Sequence, residues 1–186
     1  MYFAGAAPAQ KIPAEFKLPS GPVLILVDDQ QDLVQPVVTR EMLVDSLAKQ
    51  LKEHKIADHV TTNEELSRVR QVDTKFDQRG AREVGRQVGA DTVLWLSVRQ
   101  FALDNDVEMT VAPAQFSVIV KVVNAKADKR EDVRLWPTDR EGRLVETSLP
   151  PQDIHKIKIQ REICQRLADD LADKVASLFY EYRADE

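Results

Sequence analysis

Apolar positions recur along this chain with two periods, and the switches between them mark its elements. Val23-Leu24-Ile25-Leu26-Val27, entered through Gly21-Pro22 and closed by Asp28-Asp29, is apolar at every position. A short run of that kind predicts a central strand covered on both faces. From Thr39 to His54, Leu43, Leu47 and Leu51 recur every four residues beside Val44 and Ala48, which predicts a helix with one buried stripe. Thr39 is its expected N-cap, and Glu41 suits the positive end of the helix. A short strand is expected near Asp58 to Thr61. Asn63 is expected to cap a helix carrying Leu66 and Val69. Asp77 is expected to cap another, with Ala81, Val84 and Val88 inward and Gly89 as its left-handed stop.

Downstream the pattern becomes strand-like. Thr92 to Val98 is a short apolar strand that leaves through the acidic turn Asp104-Asn105-Asp106. Phe116 to Asn124 returns as a long strand, and Val133 to Trp136 follows as a third. Thr138 to Arg143 reads as a turn or loop, and Pro150-Pro151 breaks the chain. The last helix is expected from near Asp153, or a turn later, to Tyr180, carrying Ile163, Leu167, Leu171, Val175 and Leu178. At that extent it would be about 40 Å long. The predicted fold is therefore α/β (α+β), a single mixed sheet in the order β-α-β-α-α-β-β-β-α with helices packed on it and a long C-terminal helix. Residues 1–21, rich in Pro, Ala and Gly, are expected to form a flexible N-terminal arm, and residues 22–186 a single α/β domain.

Charge narrows the range of partners. The chain has a net charge of −5, with 43% hydrophobic and 31% charged residues. That balance suits a soluble globular domain and argues against nucleic acid as the main partner, because phosphate binding needs a basic face. The longest apolar run, Val118 to Val123, is interrupted by Lys121 and is too short to span a bilayer. One cysteine, Cys164, excludes an intrachain disulfide. Met1 to Pro8 has neither a basic n-region nor an apolar core, so it reads as a tether rather than a signal peptide. Membrane association is expected only through a removed or lipidated N-terminus.

Most candidate chemistry has a plainer reading. Asp28 and Asp29 sit at the carboxyl end of a strand, where open α/β sheets bind ligands, and two adjacent carboxylates could hold magnesium. No phosphate-cradling glycine loop follows them, so a solvated turn is the default. His54, Asp58 and His59 straddle a helix end and a turn, and His155 is isolated, so none is expected to ligate a metal. Cys164 lies among apolar helix positions and is expected to be buried and inert. No serine sits in a Gly-x-Ser-x-Gly elbow. Trp95 and Trp136 are expected in the core or on a sheet face. From Arg68 to Arg86 there are six bases against three acids, and Arg79, Arg82 and Arg86 follow helical spacing. They are the candidate partner-binding face, able to steer an acidic partner.

Three passages carry a resemblance to a family. They are the strand Val23 to Val27 with its polar loop and helix, the run Gly89-Ala90-Asp91-Thr92-Val93-Leu94, and the long strand Phe116 to Ala125 followed by a strand ending Leu135-Trp136. Together with the last helix they resemble bacterial envelope proteins. These include the curli-secretion-channel lipoprotein, the outer-membrane lipoprotein activators of penicillin-binding proteins, and the amino-terminal domain of the Tol–Pal translocation protein. The resemblance implies a non-enzymatic, periplasmic or outer-membrane-associated protein-binding module, an adaptor or regulator of envelope assembly. It implies no cofactor, another envelope protein as partner, and room for oligomerisation.

In the channel member, segments around the meander become membrane hairpins. Here the acidic turn and the charged stretch Thr138 to Pro151 supply no lipid-facing pair, so a pore is not expected. Two alternatives stand beside the adaptor: a subunit of a secretion or transport assembly related to the curli channel, and a small metal-dependent α/β enzyme using Asp28 and Asp29. Arg82→Glu with Arg86→Glu is expected to weaken partner capture without unfolding the chain.

Overall fold

The structure, a computed structural model, describes residues 11–103, 113–150 and 159–183. Its elements are β1 (Lys11–Ile12), β2 (Val23–Asp28), α1 (Val38–Glu53), α2 (Asn63–Val72), a 3-10 turn (Phe76–Gln78), α3 (Ala81–Gln87), β3 (Thr92–Ala102), β4 (Ala114–Asn124), a second 3-10 turn (Arg130–Asp132), β5 (Arg134–Trp136), β6 (Arg143–Leu149), α4 (Gln160–Ala176) and β7 (Tyr182–Arg183). The main sheet is five-stranded and mixed. β2 lies parallel to β3, β3 antiparallel to β4, and β5 and β6 share the far edge of β4.

Alternation in the strands assigns the two faces. Phe116, Val118, Val120 and Val122 of β4 point to one face, where they meet Leu94 and Leu96 of β3 and Ile25 of β2. α1 and α4 cover this face. Leu43, Leu47 and Leu51 of α1 and Leu167, Leu171 and Val175 of α4 are fully buried in it. The other face is covered only in part. Leu24, Val93 and Val123 pack there under Phe76 and Val84, from the 3-10 turn and α3. Gly89, at φ +72°, ends the α3 segment as expected, and Ala125 and Val93 close over Gly85, where an added Cβ would come within 2.9 Å and 2.5 Å of their side chains.

Several local expectations are corrected. The strand expected at Asp58 to Thr61 is a single parallel bridge between Val23 and Val60, because only one turn of backbone reaches β2 there. Thr39 does not cap α1. It lies inside the helix, fully buried, with its hydroxyl unpartnered, and Val37 holds the N-cap position. α2 is capped by Thr62 rather than Asn63. The Thr62 amide donates to Glu65 Oε2 at 2.7 Å and the Glu65 amide donates back to Thr62 Oγ1 at 3.2 Å, a reciprocal capping box. The Thr62 amide, and then the Thr62 hydroxyl donating to the same oxygen at 3.1 Å, hold the Glu65 carboxyl below its ordinary range. Asn63 instead donates to Asp45 Oδ1 at 2.9 Å and ties α2 to α1. α3 begins at Ala81 behind Gly80, so Asp77 is not its cap.

The expected turn from Thr138 leads into β6, a strand that was not expected. Val145, Thr147 and Leu149 turn inward at alternate positions and Glu146 and Ser148 between them turn out. The last helix runs only from Gln160 to Ala176 among the described residues, about 25 Å, and its expected start near Asp153 lies outside them. The acidic turn Asp104 to Asp106 also lies outside them. Within the arm expected to be loosely held, β1 pairs antiparallel with β7, the Glu15 and Phe16 amides donate to the Leu178 carbonyl, and Phe16 stacks on Trp136 at 6.1 Å.

Candidate functional site

The carboxyl end of β2 opens into a cleft of about 580 Å³ that includes Leu26, Asp28, Arg40, Arg70, Phe76 and Trp95 in its lining. The two acids at this end diverge. Asp29 has a fully buried side chain. Its Oδ1 accepts from the Leu33 amide and its Oδ2 from the Val34 amide, each at 2.9 Å, so the carboxylate folds the loop after β2 around itself. Arg40 Nη1 stands 3.7 Å from Asp29 and its Nη2 donates to Asp32 at 3.0 Å, while its buried Nε has no partner. Asp28 accepts from the Trp95 indole at 3.2 Å and orients that ring across the sheet. Both Asp29 oxygens already accept a loop amide and the side chain is fully buried, so a divalent ion shared by both acids would have to displace the loop packed around it. Among the described residues no group of three or more His, Cys, Asp or Glu side chains could hold a metal ion.

The three arginines of the expected docking face do not share one face. Arg79 precedes α3 and pairs with Asp73 and, at 3.7 Å, with Glu83. Asp73 also accepts from Gln87 at 2.8 Å and from the Lys75 amide at 3.0 Å. Hydrogen bonds to Arg79, Gln87 and Lys75 hold its carboxyl far below the usual range. This cluster ties the end of α2 to α3. Arg86 lies over the β4–β5 connection. Its Nε donates to the Ala125 carbonyl at 2.6 Å and its Nη2 to the Ala127 carbonyl at 2.8 Å, with Asp128 at 3.3 Å. Of the three, Arg82 makes the least: one 3.4 Å bond to the Ala127 carbonyl.

The remaining candidates are structural. Cys164 is fully buried in the core. His54 stacks on Tyr180 at 3.8 Å. His59 lends its carbonyl to the Val23 amide, and His155 lies outside the described residues. Trp136 packs against Phe16 and Phe179. Sequence reasoning passed over the cations of the half-covered sheet face, Arg99, Lys121 and Arg134. The signal available for Lys121 was its place as the one charge inside the otherwise apolar β4 pattern.

No protein-family profile matches the chain, and no curated protein matches it in sequence. Solved structures do match it in shape. PelC from Paraburkholderia phytofirmans, a dodecamer, superposes over 94% of this chain and 99% of its own with a TM-score of 0.51 at 12% identity. This chain shares the PelC fold. Lipoprotein GNA1162 from Neisseria meningitidis matches over 85% of this chain and 99% of its own, with a TM-score of 0.48 and 14% identity. The C-terminal domain of LpoB from Salmonella enterica matches over 73% and 87%, with a TM-score of 0.41 and 14% identity. The mixed sheet with packed helices read in the strand and helix pattern thus reappears in a solved structure. No helix among the described residues is long and apolar enough to cross a membrane.

Proposed function

We propose that this chain is a non-enzymatic protein-binding module of the bacterial envelope, an adaptor or regulator of envelope assembly that works in the periplasm, anchored at the outer membrane if its N-terminus is lipidated. The supporting observation is the strand-end cleft. In an α/β enzyme the carboxyl ends of parallel strands present free reactive groups. Here Asp29 is committed to two loop amides and Asp28 to Trp95. The fold likeness to PelC, which covers nearly the whole chain, agrees with a scaffold role. The test is chemical crosslinking of the tagged chain in intact envelopes, followed by purification and mass spectrometry. One discrete heteromeric complex at reproducible stoichiometry is expected. Recovery of the chain alone would overturn the proposal.

A second reading, a subunit of a secretion or transport assembly, is favoured by one observation: the PelC of similar fold is a dodecamer. Light scattering of the purified chain separates the two. A ring-sized particle supports the assembly reading, and a monomer at micromolar concentration supports the adaptor.

A further inference from the structure

The face of the main sheet opposite α1 and α4 is only partly covered, and its open part is basic. Trp95 of β3 pairs in register with Lys121 of β4, and the Lys121 ammonium lies over the indole, 5.3 Å from the ring centroid. Beside them a groove of about 600 Å³ runs between α3 and β5. Its lining includes Trp95, Val123 and Val133, with Arg82, Arg130 and Arg134 among the residues around them. Arg99, in the irregularity between Val98 and Gln100, lies close enough to repel the Lys121 charge.

Among the described residues these cations lack carboxylate partners. Arg99, Lys121 and Arg130 make no ion pair with any described acid. Arg134 donates to the carbonyls of Asp139 and Arg140, each at 3.0 Å, and Arg82 to that of Ala127. Elsewhere Arg40, Arg68, Arg79, Arg86 and Lys126 each have an acid. Asp128, the one acid among the described residues that line the groove, is paired with Arg86. Burial, and then repulsion from Arg134 and Arg99, push the Lys121 ammonium below its ordinary range. Like charges gathered without counterions cost folding free energy that an anionic partner would return.

We propose that the groove between α3 and β5 docks a short acidic segment of a partner protein, its carboxylates meeting Arg99, Lys121, Arg130 and Arg134 and an apolar side chain resting on Trp95 and Val133. The proposal rests on the protein-binding reading and adds to it the surface and the partner chemistry. A peptide fits better than a nucleic acid. The chain as a whole is at −5 and repels an extended polyanion, while a segment of a few residues feels only the local positive field.

The test is fluorescence anisotropy with a fluorescein-labelled acidic hexapeptide, Asp-Glu-Leu-Glu-Asp-Glu, titrated with the full chain. The lysine-substituted peptide and a thymidine oligonucleotide serve as comparators. The acidic peptide should bind, and binding should weaken as salt rises from about 50 to about 300 mM. Arg99→Glu with Lys121→Glu should weaken it at least about tenfold. Arg130 is exposed, so Arg130→Glu should weaken it in the same direction, and it serves as the second variant if the pair disturbs folding. Equal affinity for wild type and Arg130→Glu, no binding, or preference for the oligonucleotide would each overturn the docking proposal. If crosslinking in envelopes still yields its complex while these variants change nothing, the groove is wrong and the protein-binding reading survives. If the peptide binds as expected but no complex forms, the reverse holds.

Discussion

Replacing Asp29 by alanine tests directly whether the strand-end acids are structural. The side chain is fully buried and accepts two backbone amides at 2.9 Å, with the Arg40 guanidinium 3.7 Å away. A hydrogen bond to a charged group contributes roughly 1.5–3 kcal/mol, and an amide left without its acceptor costs about 1–3 kcal/mol. Arg40 also keeps Asp32, so its loss is partial. Asp29→Ala should therefore cost about 3–5 kcal/mol, a large share of the ~5–15 kcal/mol that holds a domain of this kind. In urea that is a fall in midpoint of about 1.5–2.5 M at a slope near 2 kcal/mol per M. Asp29→Asn retains one acceptor and should cost about half as much. Asp28→Ala loses one bond to the Trp95 indole and should cost about 1 kcal/mol. A metal-binding pair would behave differently. Both alanine variants would then change stability little or raise it by relieving repulsion, and magnesium or manganese would raise the unfolding midpoint of the wild type. An Asp29→Ala loss no larger than that of Asp28→Ala, or stabilisation by either ion, would refute the structural assignment.

Arg86→Ala removes bonds to the Ala125 and Ala127 carbonyls from a side chain that is 46% exposed, so a loss of about 1–2 kcal/mol is expected, read as a lower thermal midpoint with faster amide exchange at residues 125–128. Gly85→Ala places a Cβ 2.5 Å from the Val93 side chain and 2.9 Å from Ala125, and separating α3 from the sheet should cost about 1–3 kcal/mol by urea unfolding. Burial raises the carboxyls of Asp170 and Asp173 above their ordinary range. The folded state then takes up protons before the unfolded chain does, so stability rises as pH falls through those values, down to the unfolded value near about 3.9. Asp73 works in the opposite sense: its contribution is complete above about 3.9 and is lost as pH falls toward its depressed folded value. Thermal unfolding against pH should therefore peak in mild acid, and Asp170→Asn should raise the midpoint at neutral pH and flatten the rise.

The patterned parts of the fold were legible in the sequence. The Leu43-Leu47-Leu51 stripe and the alternation of β4 follow from burial on known faces and stand as expected. The all-apolar β2 is a strand as expected, but it lies at the edge of the sheet rather than in its centre, paired with β3 and, by one bridge, with Val60. β6 was hidden by its charges. Its inward positions are Val145, Thr147 and Leu149, and the threonine with the outward Arg143 and Glu146 left the strand without a strong apolar alternation to read. Caps were misassigned where two candidates adjoin, as with Thr62 and Asn63. The choice is made by the reach of Glu65, a contact three residues away. The basic helix face was read without its tertiary contacts. Arg86 shares helical spacing with Arg82 but lies against the 125–127 carbonyls, which are about 40 residues distant in sequence. No local pattern encodes that contact. The open cationic face was equally out of reach, since Arg99, Lys121 and Arg134 meet only through strand register.

Photocrosslinking in the native envelope tests the central claim, that this scaffold works by holding another protein, most directly. A photoreactive residue is placed at position 130 on the groove, or at position 49 on the exposed side of α1, where Lys49 is 72% exposed. The account predicts one heteromeric adduct from position 130, absent from position 49, and lost when Arg99→Glu and Lys121→Glu are added. Adducts of equal yield from both positions, or none from position 130, would contradict it.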